Sequence, residues 1–203
     1  MKRFFLPVCL FASLPACQGQ RAPEQQVPYH PEKSGTVAHA MCLLGFTAVP
    51  LRELSSGHHL IDATINGQKA TFILDTGANF SVVHAAAARR LGLPDTGAAA
   101  GAFGLGGGMK ALQVKLEKLE IGGVAIRQRR IMTSDLSQLV QGLGTVSRTP
   151  IAGLVGQDVM REHRAVVDVA APMLYVIAAD RKPAPVPAEQ CRGKQTAPAK
   201  RSA

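Results

Sequence analysis

The stretch FILDTGANFSVV, residues 72–83, decides how this chain folds. Three apolar residues lead to Asp75, and strand-forming residues return after Ala78. The pattern predicts a tight loop between two strands of the core, with Asp75 at the end of the first strand. Gly77 can take a positive φ or let a neighbouring backbone approach closely. We therefore expect a desolvated carboxyl group that can take part in acid–base chemistry.

The letters Asp-Thr-Gly-Ala occur a second time, in the stretch LPDTGAAA at residues 93–100. This copy follows a predicted helix end and precedes a run of small residues. Pro-Asp-Thr-Gly is typical of an exposed turn. The sequence therefore predicts a turn at Asp95 and a chemical role for Asp75 alone.

The remaining pattern is mostly short strands separated by turn residues. Three stretches predict hairpins: residues 58–74, 109–126 and 164–177. Their turns are expected at Asn66-Gly67, Gly122-Gly123 and Ala171-Pro172. Hydrophobic residues make up 46% of the chain and aromatic residues 4%, with no Trp, so the core is expected to be aliphatic.

Two stretches look helical: the alanine-rich residues 84–93, which end at Gly92, and the short residues 157–165. The class predicted from these elements is all-β with one or two short helices. A small barrel or closed sandwich is the expected architecture.

The ends of the chain differ from its centre. We expect a signal peptide over residues 1–17, a flexible tether over 18–40, the folded domain over 41–180 and a disordered tail over 181–203. The tail is rich in Pro, Ala and Lys and cannot bury enough apolar surface to fold alone.

The signal peptide ends in LPAC, with Leu14, Ala16 and Cys17 in positions that resemble a bacterial lipobox, although Pro15 departs from it. The resemblance implies lipidation of Cys17 and, because Gln18 follows, an outer-membrane lipoprotein on the periplasmic side of the envelope. Secretion into the periplasm without a lipid is the alternative.

Cysteine usage agrees with an oxidising compartment. Of the four cysteines, Cys9 lies in the signal peptide and Cys17 is the lipidation candidate, which leaves Cys42 and Cys191 able to pair. Neither C-x-x-C nor H-E-x-x-H occurs, so we expect no metal and no cofactor.

The formal net charge of +9 comes partly from basic residues in the two ends of the chain. The central region has no basic stretch interleaved with aromatic residues, so we expect no nucleic-acid partner. A polyanion binder that works through the basic ends is a remote alternative.

Three stretches in this order, FILDTGANFSVV, GAFGLGGGM and IAGLVGQDVMREHRAVVDVAAPMLYVI, resemble the retropepsin-like aspartic peptidases, in particular their bacterial membrane-associated or periplasmic branch. The resemblance covers about residues 50–178 and implies a small closed acid-protease barrel. It also implies that Asp75 is catalytic, that Thr76, Gly77 and Ala78 complete the active-site loop, and that Thr76 bonds across a dimer axis.

Aspartic peptidases need two carboxylates around one water, and a chain with one functional Asp-Thr-Gly supplies one. The twenty residues from Asp75 to Asp95 cannot hold a second lobe. We therefore expect a homodimer in which Asp75 of each protomer lies at a two-fold axis. Peptide or protein is the expected substrate.

The glycine-rich stretch at residues 101–109 fits no phosphate-binding loop. The resemblance implies a flap that closes over substrate, and a flexible surface linker is the alternative reading. The residues assigned to this flap are Phe103, Gly104, Leu105, Gly106, Gly107 and Gly108, with Met109 as a further apolar contact.

The resemblance implies that Gly156 packs under the active-site loop, and a simple turn before the helical residues 157–165 is the alternative. Asp158 and Asp168 are expected to be a helix cap and a structural hydrogen-bond acceptor, not catalysts. Asn79 stands where many retroviral members have a second Asp, which bears on cleavage preference.

The sequence thus predicts an aspartic endopeptidase without a covalent intermediate. The alternative is a non-catalytic periplasmic lipoprotein that uses the same fold for binding or scaffolding.

Overall fold

The computed structural model of the protein describes residues 30–104 and 107–191, and it describes their side chains except at residues 98–110. The predicted signal peptide and most of the predicted tether therefore lie outside the described residues.

Thirteen strands and four α-helices make up the described chain, followed by a short 3-10 helix at Ala188–Cys191. The strands are β1 Thr47–Pro50, β2 Arg52–Glu53, β3 His59–Ile65, β4 Gln68–Leu74, β5 Val82–His84, β6 Asp95–Gly104, β7 Gly107–Lys115, β8 Leu119–Ile121, β9 Val124–Ile126, β10 Arg130–Ser134, β11 Ile151–Val155, β12 Val166–Asp168 and β13 Met173–Val176. The helices are α1 Val37–Leu43, α2 Ala85–Arg90, α3 Ser137–Gly144 and α4 Gln157–Glu162. The predicted all-β class is confirmed.

Ten strands form the main sheet in the order β6-β7-β10-β5-β11-β4-β3-β8-β9, with β2 paired to β3. The sheet is open, because β6 and β9 at its two ends do not pair with each other. The expected closed barrel is therefore wrong for the described chain. Alternation along a strand shows which side chains face the core, whereas closure depends on which edges meet.

The central feature of this sheet is that β4 and β5, consecutive in the chain, are not neighbours. Strand β11 lies between them, parallel to β4 and antiparallel to β5. All five residues of β11 are buried, as expected for a strand enclosed on both sides.

A second sheet joins the two ends of the domain in the order β1-β13-β12. Strand β13 is buried throughout and carries Tyr175, which is 1% exposed. Phe72 and Tyr175 are the aromatic side chains of an otherwise aliphatic core. None of the helices in the described part of the chain is both long and apolar enough to cross a membrane.

Two of the three predicted hairpins form as expected. Strands β3 and β4 pair around Asn66 (φ 50°) and Gly67 (φ 80°), and β12 pairs with β13. The third stretch, residues 109–126, divides differently. Strand β7 pairs with β6 and β10, while Gly122-Gly123 joins β8 to β9. The alternation of apolar residues continues through Leu116, so the sequence pattern does not show that β7 ends at Lys115 and β8 begins at Leu119.

Four α-helices replace the one or two that the sequence predicts. Helices α2 and α4 lie in the predicted stretches. Helix α1 begins after Thr36, whose side chain accepts a hydrogen bond from the His39 amide at 3.1 Å. Helix α3 contains Gly142 and Gly144, which have low helix propensity, so the sequence analysis does not predict a helix there.

The described elements extend past both predicted domain boundaries. Helix α1 crosses the boundary at residue 40, and a disulfide joins Cys42 to Cys191 in the predicted tail. Cys191 is 1% exposed, and the Val186 amide donates to the Leu43 carbonyl at 2.8 Å. The segment as far as Cys191 is thus held against α1.

Strand β11 fits between its neighbours because Gly153 has no side chain. A Cβ atom at Gly153 would lie 2.0 Å from the Val82 carbonyl oxygen and 2.9 Å from Val83 Cα, both backbone atoms of β5. Its φ of +158° is also one that L-residues rarely adopt.

Replacing Gly153 with Ala is expected to destabilise the protein by about 3 kcal/mol or more, because the clash is with backbone that cannot rotate away. Gly142→Ala is the matched control: it lies in α3 with nothing within 4 Å of its Cβ position, and it should be neutral or stabilising by up to about 1 kcal/mol. Urea unfolding of both variants measures the difference. Equal midpoints would contradict the close approach.

Candidate active site

Asp75 lies directly after β4, where the chain leaves the sheet. Its amide donates to the Val155 carbonyl of β11 at 3.0 Å, which continues the strand pairing by one residue. Its Oδ1 accepts the Gly77 amide at 2.9 Å, and its carbonyl accepts the Ala78 amide at 3.2 Å. The predicted strand–loop–strand arrangement is present, with β11 inserted between the two strands.

The loop faces outward. Asp75 is half-buried, Thr76 and Gly77 are exposed, and Phe80 is 54% exposed. The expected desolvated carboxyl is therefore wrong for a single protomer, because the tight turn after Leu74 carries the side chain to the surface of the sheet. The structure gives the Thr76 hydroxyl no hydrogen bond to any described residue.

Helix α4 holds the loop from the side. The Gln157 amide donates to the Ala78 carbonyl at 2.8 Å, and its side-chain Nε2 donates to the Thr76 carbonyl at 2.7 Å. The next amide, of Asp158, donates to the Asn79 carbonyl at 3.2 Å. Three carbonyls of the loop, at Thr76, Ala78 and Asn79, thus accept hydrogen bonds from the first turn of one helix.

The half-buried carboxylate of Asp158 fastens this helix to Ser81, the residue that precedes β5. Asp158 Oδ1 accepts the Ser81 amide at 2.9 Å and the Ser81 hydroxyl at 2.7 Å. Asp158 Oδ2 accepts the Gln128 side chain at 2.8 Å, and the Ser81 hydroxyl in turn accepts the Gly156 amide at 2.9 Å. Asp158 therefore has a structural role, although the N-cap of α4 is Gly156.

Gly156 packs beneath the loop so closely that no side chain would fit at this position. A Cβ atom there would lie 2.7 Å from the Phe80 carbonyl carbon and oxygen and 2.8 Å from the Ala78 carbonyl oxygen. This contact is the geometry that the sequence suggests for Gly156. Asp168 accepts the amides of Ala170 and Ala171, both at 3.0 Å, and so stabilises the turn between β12 and β13.

Asp95 repeats the local turn of Asp75 in another setting. It is exposed, and its Oδ1 accepts the Gly97 amide at 2.8 Å. It also begins β6, a strand that the sequence analysis does not predict there, because the residues after Asp95 are small. Strands β7, β10, β5 and β11 separate β6 from β4, which places the two aspartates far apart in the sheet.

The glycine-rich stretch forms the end of the β6–β7 hairpin, in which Gly104 pairs with Gly107 and Phe103 with Gly108. Leu105 and Gly106 at the tip lie outside the described residues, as do the side chains of Phe103 and Met109. A hairpin agrees with the geometry of a flap, and its closing over substrate stays a prediction.

Within the described residues, no cluster of three or more His, Cys, Asp or Glu side chains could hold a metal ion. The carboxylate of Asp158, which bonds to Ser81 beside the loop, already accepts four hydrogen bonds, and none of the described hydrogen bonds joins it to Asp75. Asp75 therefore has no described carboxylate partner in its own protomer.

Sequence reasoning did not single out Ser81, Gln157 or Gln128. Ser81 and Gln157 belong to the quoted stretches, but their partners are 77 and 81 positions away in the chain. One signal in the sequence points to Ser81: it is a polar residue within an otherwise apolar stretch, FSVV. A buried hydroxyl requires a hydrogen-bond partner, so such a serine indicates one.

Comparison with known proteins agrees with this site. Residues 61–159, which include Asp75 and Asp158, match the model of a protein family described as aspartyl protease. No curated protein matches the chain. The family match supports an aspartic protease.

Solved structures similar to this chain include two proteases. A retropepsin-like aspartic protease from Rickettsia conorii is 20% identical with a TM-score of 0.42, over 65% of this chain and 88% of that one. EIAV protease complexed with the inhibitor HBY-793 is 22% identical with a TM-score of 0.38, over 51% of this chain and 85% of that one. Both TM-scores are below 0.5, so the chemistry of the site rests on its own residues.

Replacing Ser81 with Ala should cost about 1–3 kcal/mol, because it removes a donor to Asp158 and leaves the buried Gly156 amide without its acceptor. Ser137→Ala is the control, since its hydroxyl bonds to Asp135, an exposed residue, and its loss should cost less than about 0.5 kcal/mol. Chemical denaturation measures both. A Ser81 variant as stable as the control would contradict the network.

Proposed function

We propose that this protein is an aspartic endopeptidase that acts as a homodimer. One observation carries the proposal: the Asp75 loop is fastened from below by β11 and from the side by α4, while its carboxyl stays accessible. A catalytic carboxylate must be held in a fixed position and must remain accessible to substrate, and this loop meets both conditions.

The proposed reaction is direct attack of water on a peptide carbonyl. Two Asp75 carboxyl groups share one proton, because two like charges at such a short distance cannot both ionise comfortably. The ionised one takes a proton from the water, the protonated one gives its proton to the carbonyl oxygen, and the C–N bond breaks after the nitrogen is protonated. No metal, cofactor or covalent intermediate takes part in this scheme.

The proposed dimer supplies the second carboxylate. Asp75 has no described partner in its own protomer, and Asp95 is separated from it by four strands. Exposed Thr76, Gly77 and Phe80 form a surface around Asp75 that a second copy could cover. A two-fold axis beside this loop brings Asp75 and its symmetry mate together, and Thr76 gains a partner there.

The proposed substrate is a peptide or protein in an extended conformation. In this proposal the β6–β7 hairpin closes over it and excludes water, with Gly104, Gly107 and Gly108 allowing the tip to bend. The side chain of Phe80, exposed beside the loop, offers an apolar contact to substrate or partner.

The alternative is a non-catalytic lipoprotein that uses the same fold for binding or scaffolding. The intact Asp75-Thr76-Gly77 turn and the four hydrogen bonds on Asp158 favour catalysis, because a scaffold has no need to hold the Asp75 loop so firmly.

We also propose that the protein lies on the periplasmic side of a bacterial envelope, anchored through a lipid on Cys17. The lipobox-like residues support the anchor, and the Cys42–Cys191 disulfide supports an oxidising compartment. A soluble periplasmic protein is the alternative.

Asp75→Asn should abolish peptide cleavage, because an amide cannot act as the base. Added in excess to wild type, this variant should also inhibit it, since mixed dimers contain one carboxylate. Cleavage of a peptide library, followed by mass spectrometry over acidic to neutral pH, measures both effects.

Asp95→Asn is the matched control, with the same motif and the same local hydrogen bond. It should keep wild-type activity. Loss of cleavage in the Asp95 variant with retention in the Asp75 variant would overturn the assignment. Inhibition of wild type by excess Asp75→Asn should be absent if a monomer is active.

Labelling cells with a radioactive fatty acid tests the anchor. Wild type should incorporate label and sediment with outer membranes, whereas Cys17→Ser should do neither. Cys9→Ser is the control because it lies in the predicted signal peptide. Unlabelled wild type in the soluble periplasmic fraction would favour secretion without a lipid.

A further inference from the structure

The peptide group between Thr76 and Gly77 takes part in two hydrogen bonds, one on each side. Its carbonyl accepts from Gln157 Nε2 at 2.7 Å, and its N–H donates to Asp75 Oδ1 at 2.9 Å. The amide side chain of Gln157 is therefore connected to the Asp75 carboxylate through a single peptide group.

The same amide is also connected to a cation. Arg161 donates a guanidinium N–H to Gln157 Oε1. The two residues are four positions apart in α4, which places them on one face of the helix. The backbone bond from the Gln157 amide to Ala78 fixes the helix end against the loop, so the side chain reaches Thr76 from a constant position.

These three hydrogen bonds run in one direction, from Arg161 to Gln157, from Gln157 to the Thr76–Gly77 peptide, and from that peptide to Asp75. In such a chain each bond polarises the next and strengthens it. We propose that Arg161 and Gln157 form a relay that positions the Asp75 loop and strengthens the Gly77 donor to the carboxylate. This inference rests on the proposed function of Asp75.

The expected consequence concerns the ionised form of Asp75. A stronger Gly77 donor favours that form, which is the base in the proposed reaction. Two other titratable residues lie beside the loop: Asp158, whose oxygens bond to Ser81 and Gln128, and His58 by its position in the strand register. The β3–β4 register places His58 one position beyond the pair His59–Leu74, and its ring bonds to Ser56.

Gln157→Met tests the relay, because Met has a similar volume but cannot form the hydrogen bonds that the Gln157 side chain makes with Thr76 and Arg161. Its kcat should fall about fivefold with KM unchanged, and the acidic limb of the pH–rate profile should move to higher pH. Arg161→Met should move the limb in the same direction by less. A purely structural role would lower kcat equally at every pH.

Arg148→Met is the charge-matched control, since Arg148 is exposed and bonds to no described residue through its side chain. It should leave the profile unchanged. If both relay variants keep the wild-type acidic limb, the proposal is overturned. Melting temperatures show that each variant is folded.

A second measurement separates this proposal from the proposed function. The Gly77 amide proton, followed by NMR, should shift upfield in Gln157→Met because its bond to Asp75 weakens. If wild type cleaves no peptide but the Gly77 proton shifts, the function fails and the relay stands. If wild type cleaves but neither the Gly77 proton nor the acidic limb moves, the relay fails and the function stands.

Discussion

The site depends on one close approach, in which β11 passes between the two strands that the Asp75 loop connects. Gly153 makes this possible, because any side chain would collide with the Val82 carbonyl. The inserted strand then supplies the Val155 carbonyl to the Asp75 amide and leads through Gly156 into α4. One strand thus supports the loop from below and delivers the helix that holds it from the side.

In that arrangement, backbone groups of the loop have hydrogen-bond partners in β11 and α4, whereas the Asp75 carboxyl accepts one described hydrogen bond, from Gly77. Carbonyls at Thr76, Ala78 and Asn79 are bonded to α4, and Asp158 is committed to Ser81 and Gln128. The polar groups that remain accessible, the Asp75 carboxyl and the Thr76 hydroxyl, are those that the proposed dimer and reaction use. A fixed backbone with an accessible acid lowers the reorganisation that a reaction requires.

Much of the fold could be predicted from local pattern. Asn66-Gly67 identifies the β3–β4 hairpin because both residues must take positive φ, and alternating apolar residues identify most strands. Open or closed architecture could not be predicted, since pairing between distant edges leaves no local signal. The long β6 was missed because its small residues have low strand propensity.

The sequence by itself determined which aspartate ends a buried strand, which turns are tight, and that two cysteines remain to pair. These properties depend on neighbouring residues. Only the tertiary structure decided that β11 separates β4 from β5, and that Ser81, Gln157 and Asp158 converge on the loop. Their contacts join residues more than 70 positions apart, and hydrogen bonds over such separations are set by how the strands pack, which no local pattern encodes.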